Sequence, residues 1–210
     1  MYQLQTDNIK KKYPLFFKVA NYFRNKRYSI FRDLFQVNNN SKILDVGGTF
    51  EFWNAITDMK NITILNITKS ESNERITSVV YAGGIFPFAD KYFDVVFSNS
   101  VIEHVGDFYD QINFANEVQR CGNGYFVQVP SYWFPYEPHA QIPFYQFMPA
   151  PMKIVLRKII KRSEYPIEEL LSIRLLTKSE IRILFPKANI ITERFFGLPK
   201  SYYIIGALDV

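Results

Sequence analysis

The sequence predicts an α/β domain: a seven-stranded, mainly parallel sheet with an antiparallel last strand, helices on both faces, and a helical extension ahead of the first strand. Three observations predict it. Short apolar, β-branched runs recur along the chain, at Lys42–Val46, Ile62–Ile67, Val79–Tyr81, Phe93–Ser98 and Gly124–Val129. Between the last two of these, Phe108, Ile112, Ala115 and Val118 fall at helical spacing. Strands alternating with helical segments indicate a parallel sheet covered by helices, with right-handed crossovers. Finally, Ala188–Phe195 and Ser201–Ala207 read as two closing strands joined by a tight Gly-Leu-Pro-Lys link, which makes them an antiparallel pair.

Ahead of the sheet, residues 13 to 36 read as one or two helices, from Leu15, Val19, Tyr22 and Phe23 and then Ile30, Leu34 and Phe35. A polar loop, Asn38–Ser41, separates them from the first strand. Late in the chain, Thr177-Lys178-Ser179-Glu180 has capping-box spacing for a helix that Pro186 closes. At 210 residues the chain suits one domain. Within it, residues 1–40 would form a helical cap, and residues 130–170 a proline-aromatic insertion and an amphipathic helix over the active site.

Composition narrows the function. Nearly half the residues are apolar and about a fifth charged, which is globular composition. The single cysteine, Cys121, allows no internal disulfide and fits a reducing compartment. With only 2 histidines beside it, a structural zinc site of the His/Cys kind is not expected, and no metal is assigned. No apolar run is long enough to span a bilayer, and Met1–Lys12 does not resemble a signal peptide, so a soluble cytoplasmic protein is expected. Net charge is +5, concentrated in two places: Lys10–Lys12 through Arg32, and Lys153, Arg157, Lys158, Lys161 and Arg162. Such patches attract anions or simply solvate a helix face.

The segment Pro130–Pro151 breaks the strand–helix rhythm. It interleaves 6 prolines with Tyr132, Trp133, Phe134, Tyr136, Phe144, Tyr145 and Phe147. Repeated prolines exclude a regular helix or central strand there. A long irregular segment in a compact domain usually serves as a lid or pocket wall. The following stretch, Met152–Arg162, is amphipathic and basic; it would cap the site or, alternatively, contact an anionic membrane surface.

The chemistry gathers at strand ends. Ile43-Leu44-Asp45-Val46-Gly47-Gly48-Thr49 is an apolar strand ending in a glycine pair, which lets a ligand approach the backbone. Open α/β sheets bind ligands at this carboxyl edge. Asn66 ends the next strand, roughly 20 residues on, where nucleotide-binding folds place a partner for ribose hydroxyls. A turn-forming Asn would look the same. The third element is Phe86-Pro87-Phe88-Ala89-Asp90, then Phe93-Asp94-Val95-Val96-Phe97-Ser98-Asn99-Ser100-Val101-Ile102-Glu103-His104-Val105.

Taken together, these motifs resemble the class I S-adenosylmethionine-dependent methyltransferases, most closely the small methyltransferase-domain proteins of polysaccharide or specialised-metabolite gene clusters. The resemblance covers residues 40 to 130 and continues more loosely through Glu137-Pro138-His139 and Arg174–Thr177. It implies a Rossmann-like fold with S-adenosylmethionine as cofactor, held by Asp45, Gly47, Gly48, Asn66, Gly83, Ser98 and Asn99. The acceptor side would carry Glu103 and His104, with Tyr132 and Tyr136 as further acceptor contacts. Thr49 and Glu51 stand where that family has further glycines, and Tyr81-Ala82-Gly83-Gly84 lacks its adenine-binding acid, leaving adenine to backbone groups and apolar side chains such as Ile85.

A sulfonium methyl is already electrophilic, so the protein's task is alignment plus, for a hydroxyl acceptor, a proton acceptor. His104 and His139 are the histidines available, with Glu137 placed to orient His139. The expectation is methyl transfer, by O-methylation, to a small-molecule or saccharide acceptor. Two rivals remain. One is a cofactor-binding but inactive module, motivated by the altered glycine loop. The other is an RNA methyltransferase, motivated by the basic amino-terminal region but accompanied by no RNA-binding module. Oligomeric state is not set by the sequence.

Overall fold

The structure is a computed structural model that describes residues 14–56, 59–160, 163 and 165–206. The Met1–Lys12 segment, Lys161, Arg162 and Ala207 lie outside the described residues, as do the side chains of Leu15 and Val19. The chain divides into two compact units, residues 1–37 and 38–210. Among the described residues of the first, one helix, α1 (Pro14–Phe35), spans the stretch where one or two were expected.

The second unit is built on a seven-stranded sheet. Its strands are β1 (Ile43–Val46), β2 (Ile62–Asn66), β3 (Ile76–Val80), β4 (Phe93–Asn99), β5 (Gly122–Pro130), β8 (Asn189–Phe195) and β9 (Leu198–Gly206), in the order β3-β2-β1-β4-β5-β9-β8. All pairings from β3 through β5 are parallel, and β9 runs antiparallel to both β5 and β8. The predicted fold class holds. Strand order reverses between β1 and β4, so the carboxyl ends of those two strands flank the crevice where such sheets bind ligands.

Each face of the sheet is packed for a reason legible in β1, all four of whose residues are buried. Leu44 and Val46 join a core with Val96, Val127 and Ile204 beneath helices α3 (Phe108–Cys121) and α6 (Lys178–Leu184), which contribute Phe114, Ala115, Val118, Ile181 and Leu184. On the other face Asp45 stands opposite Phe97 in register. There the short helix α2 (Phe50–Ile56) lays Phe52 and Trp53 against the Phe97 ring. Sequence periodicity did not reveal α2: it has only seven residues and begins where a glycine loop was expected.

Capping sets the helix starts. Asp107 accepts from the Tyr109 and Asp110 amides while Asp110 returns a bond to the Asp107 amide, and Thr177 and Glu180 close the predicted capping box on α6. Such caps are worth about 1 kcal/mol each.

Two boundaries differ from expectation by the most, while β2, β4 and β5 shift by one or two residues. β3 starts at Ile76 rather than Val79, because its polar Thr77 and Ser78 suit an edge strand with half-exposed faces. The link between the last strands is Phe196-Gly197 rather than Gly-Leu-Pro-Lys. Both residues have positive φ, as a two-residue type I′ hairpin turn requires, and Leu198–Lys200 already belong to β9.

The proline-aromatic insertion is ordered by small elements. A short hairpin with two-residue strands pairs β6 (Tyr136–Glu137) with β7 (Ile142–Pro143), and a 3-10 turn covers Tyr145–Phe147. The amphipathic helix α4 (Ala150–Ile159) and the short α5 (Ile167–Ser172) follow. Ala140, Ile142, Tyr145 and Leu170 form its own small core.

Candidate active site

The turn after β1 is shaped by close contacts. Gly47 has φ +77, and a Cβ there would lie 2.4 Å from a methyl of Val101. A Cβ on Gly48 would lie 1.7 Å from Asp45 Oδ2. Only glycine fits at either place. The Asp45 carboxylate is buried and accepts a 2.5 Å hydrogen bond from Trp53 Nε1. Burial pushes its pKa up to about 7, against the lowering effect of that bond.

The other expected cofactor residues take up distinct positions. The Asn66 amide nitrogen donates to Gly48 O at 3.0 Å, and its carbonyl accepts from the Ile67 amide at 2.7 Å. Asn66 therefore ties the end of β2 to the glycine turn through its own side chain. Ser98 is fully buried, and its hydroxyl donates to Val46 O, stitching β4 to β1 immediately before the turn. Asn99, half-buried, ends β4, and Ser100 beyond it adopts a left-handed φ of 55°, its hydroxyl donating to Gln128 Oε1. Such a conformation is uncommon for a residue with a Cβ and tends to occur at functional sites. Gly83 has φ +102 and open space where a Cβ would project, so it shapes a surface turn. Ile67 and Ile85, just past β2 and β3, are large apolar side chains left about three-quarters exposed.

The acceptor side is assembled from segments far apart in sequence. The 3-10 turn Ile102–His104 follows β4 and carries Glu103 and His104; His139 arrives on the insertion, just after β6. One ligating atom from each of Glu103, His104 and His139 lies within 4.8 Å of the others. The two imidazoles meet edge to face at 4.8 Å between centroids, and the Tyr165 ring contacts both. Glu137 Oε1 sits 2.6 Å from His139 Nδ1, while its other oxygen accepts from the Ala140 amide. Glu103, Glu137 and His139 are buried; His104 keeps an exposed edge.

Electrostatics separate the two histidines. Protein packed around the His104 ring, together with the charge of His139, pushes its pKa down to about 4 despite that exposed edge, with Glu137 opposing. Burial alone would lower His139, but the hydrogen bond and charge of Glu137 outweigh it, and His139 is held above the usual imidazole value. Glu137 shows the converse: burial works to raise it, and His139 with the backbone amides brings it below the usual carboxylate range.

A second layer fixes these groups. Arg174 N donates to Glu103 O at 2.9 Å; Gln111 Nε2 donates to Ile102 O and Arg174 O; and Arg174 Nη1 donates to Gln111 Oε1. Arg174 also pairs with Glu180 and lies over the Phe108 ring. The Ser163 hydroxyl donates to His139 O at 2.5 Å. No sequence pattern singles out Trp53, Gln111, Ser163 or Tyr165, whose roles arise from contacts across the fold.

Of the remaining expected residues, Tyr132 lines a cleft of about 430 Å³ together with Gln146, Lys153, Arg174 and Glu180. Tyr136 precedes Glu137 on β6 and is half-buried.

Comparison with known proteins fits this geometry. The family described as "Methyltransferase domain" matches residues 56–127. The matched residues run from the end of α2 into β5, and over that stretch the chain resembles a methyltransferase domain. An uncharacterized protein of Mycobacterium tuberculosis, from two strains, is 40% identical over 55 residues, which is 26% of this chain; the match spans about a fifth (19%) of that relative's length. Among solved structures, a SAM-dependent methyltransferase from Methanosarcina mazei superposes with TM-score 0.52 at 14% identity, covering 84% of this chain and 95% of that one. Geranyl diphosphate C-methyltransferase from Streptomyces coelicolor A3(2), solved with Mg2+, geranyl diphosphate and S-adenosyl-L-homocysteine, gives TM-score 0.52 at 10% identity over 87% and 76% of the two chains. At such identities the likeness is one of fold. No helix among the described residues is long and apolar enough to cross a membrane.

Proposed function

We propose that this methyltransferase domain transfers the methyl group of S-adenosylmethionine to an oxygen of a small-molecule or saccharide acceptor. The observation that carries this reading is the Glu137–His139 pair. It is buried beside His104, and Val101, which shapes the Gly47 turn, lies only a few residues before His104. A proton acceptor thus stands close to the edge of the sheet where the donor would lie.

In this reading the Gly47-Gly48 turn, held by Val101 and Asp45, would bind the methionine part of the donor through its backbone, and the exposed Ile67 and Ile85 would contact the adenine. The acceptor oxygen attacks the methyl carbon in line; the O–C bond forms as the C–S bond breaks, and the sulfur leaves neutral. The acceptor's proton passes to His139 Nε2, while Glu137 at Nδ1 stabilises the resulting imidazolium. Alignment of this kind supplies roughly 7–11 kcal/mol, and the proton acceptor a further 10²–10⁴-fold.

A cofactor-binding but inactive module remains the second reading. It is favoured by the engagement of both polar atoms of the Asn66 amide with the chain itself, at Gly48 and Ile67. Transfer of a labelled methyl group from S-adenosylmethionine to a panel of hydroxylated small molecules and sugars separates the two. The first reading predicts product, with rates that persist at high salt. Binding of the donor with no product on any acceptor supports the inactive module. Activity on RNA that falls steeply with salt would replace the acceptor class.

A further inference from the structure

We propose that Glu103, His104 and His139 form a binding site for a divalent transition-metal ion of the zinc class, set at the acceptor side of the sheet edge. The sequence argued against a metal because the chain holds one cysteine and two histidines. The fold alters that argument by bringing both histidines to one carboxylate.

The geometry supports the site in three ways. First, the ligating atoms already lie within 4.8 Å of one another. Tetrahedral bonds of about 2.1 Å set ligand atoms about 3.4 Å apart, so pairs of these side chains close by at most about 1.4 Å between them to complete the set. Second, Glu137 holds His139 at Nδ1, which leaves Nε2 directed to a ligand. A carboxylate on the far nitrogen of a ligating histidine is the usual support for such a site, fixing both tautomer and orientation. Third, the backbone of every ligand is anchored: Arg174 and Gln111 hold the turn bearing Glu103 and His104, and Ser163 holds His139 O. A preformed set of donors loses less freedom on binding than a loose one.

Donor chemistry selects the ion. Two imidazoles and one carboxylate suit zinc and its first-row neighbours, whereas magnesium and calcium prefer all-oxygen sets. Three protein ligands leave a coordination position open, and His104 is exposed to solvent. A dication there would lower the pKa of an acceptor hydroxyl at the open position; with the ion bound, His139 Nε2 is a ligand, and its role as proton acceptor belongs to the ion-free protein. The inference uses the same side chains as the methyl-transfer reading but does not depend on the methyl donor.

The test is titration of the full, chelator-stripped chain with Zn2+ in competition with a chromophoric chelator, with Co2+ absorption as a second readout. One Zn2+ per chain is expected, with Co2+ giving the visible bands of a low-coordinate site. His104→Ala should weaken Zn2+ binding by about 100-fold or more, and Glu137→Gln by roughly 10–100-fold. His104 keeps an exposed edge, so its variant tests the site without disturbing the buried core; circular dichroism checks the folding of Glu103→Gln and His139→Ala. Equal Zn2+ affinity in wild type and His104→Ala would overturn the site, as would an absence of Zn2+ binding. Zn2+ binding without any S-adenosylmethionine binding would remove the methyl-transfer reading and leave the ion site standing. The reverse outcome would remove the ion site alone.

Discussion

The glycine turn after β1 and the imidazole cluster beyond β4 lie along the same carboxyl edge of the sheet, but they are built in opposite ways. The turn is local: Asp45, Gly47, Gly48 and Trp53 fall within nine residues, and Asn66 joins them from the adjacent strand. The cluster is long-range: His104 and His139 are 35 residues apart, and Arg174 and Ser163 reach in from beyond them. In the first region the glycines let Val101 and Asp45 pack against the turn, and the polar side chains bond to the chain itself. In the second, ionisable groups face one another. The contrast suggests a division of labour, with donor binding by shape on one side and proton handling on the other.

That division breaks most sharply at Gly48. Gly48→Val drives a side chain into Asp45, and we expect a stability loss of about 3 kcal/mol with loss of S-adenosylmethionine binding, read by urea denaturation and calorimetry. Intact binding in this variant would place the donor elsewhere. On the other side, His139→Ala should reduce turnover by about 10²–10⁴-fold while leaving donor affinity unchanged. A parallel loss of both would merge the two regions into one.

The third prediction concerns pH. Burial raises Asp45 to about 7, above an unfolded value near 3.9. Between those values the folded chain holds a proton that the unfolded chain has released, so the stability this group contributes is complete below about pH 4 and is lost as pH rises through about 7. Relative to Asp45→Asn, wild type should therefore lose a few kcal/mol between pH 4 and pH 8, as measured by denaturant titration. Parallel pH curves for the two proteins would show that the carboxylate is not so confined.

How much of this was legible beforehand follows from the same contrast. The strands, their parallel order and the glycine turn were readable because each is a contiguous pattern: Ile43–Val46 is apolar throughout and ends in glycines. Glu137 and His139 could be picked out as a pair because they are two residues apart. Their meeting with Glu103 and His104 could not, since no periodicity links residue 103 to residue 139. Helix α2 was hidden because its sequence, Phe-Glu-Phe-Trp, occupies a place where glycines were expected.

The smallest expected effect lies far from both regions. Phe196 holds a left-handed φ of 48° in the β8–β9 turn and is 90% exposed. Asparagine tolerates that conformation and suits the turn, so Phe196→Asn should raise stability by about 1 kcal/mol without altering donor affinity or turnover. A change in either would tie the hairpin to the site.

Calorimetry with S-adenosylmethionine on three proteins reaches furthest into this picture. Wild type and His139→Ala should each bind one donor per chain with similar affinity, while Gly48→Val binds none. If wild type binds no donor, or if His139→Ala fails as completely as Gly48→Val, the donor does not lie along the Gly47-Gly48 turn with the imidazoles on its acceptor side.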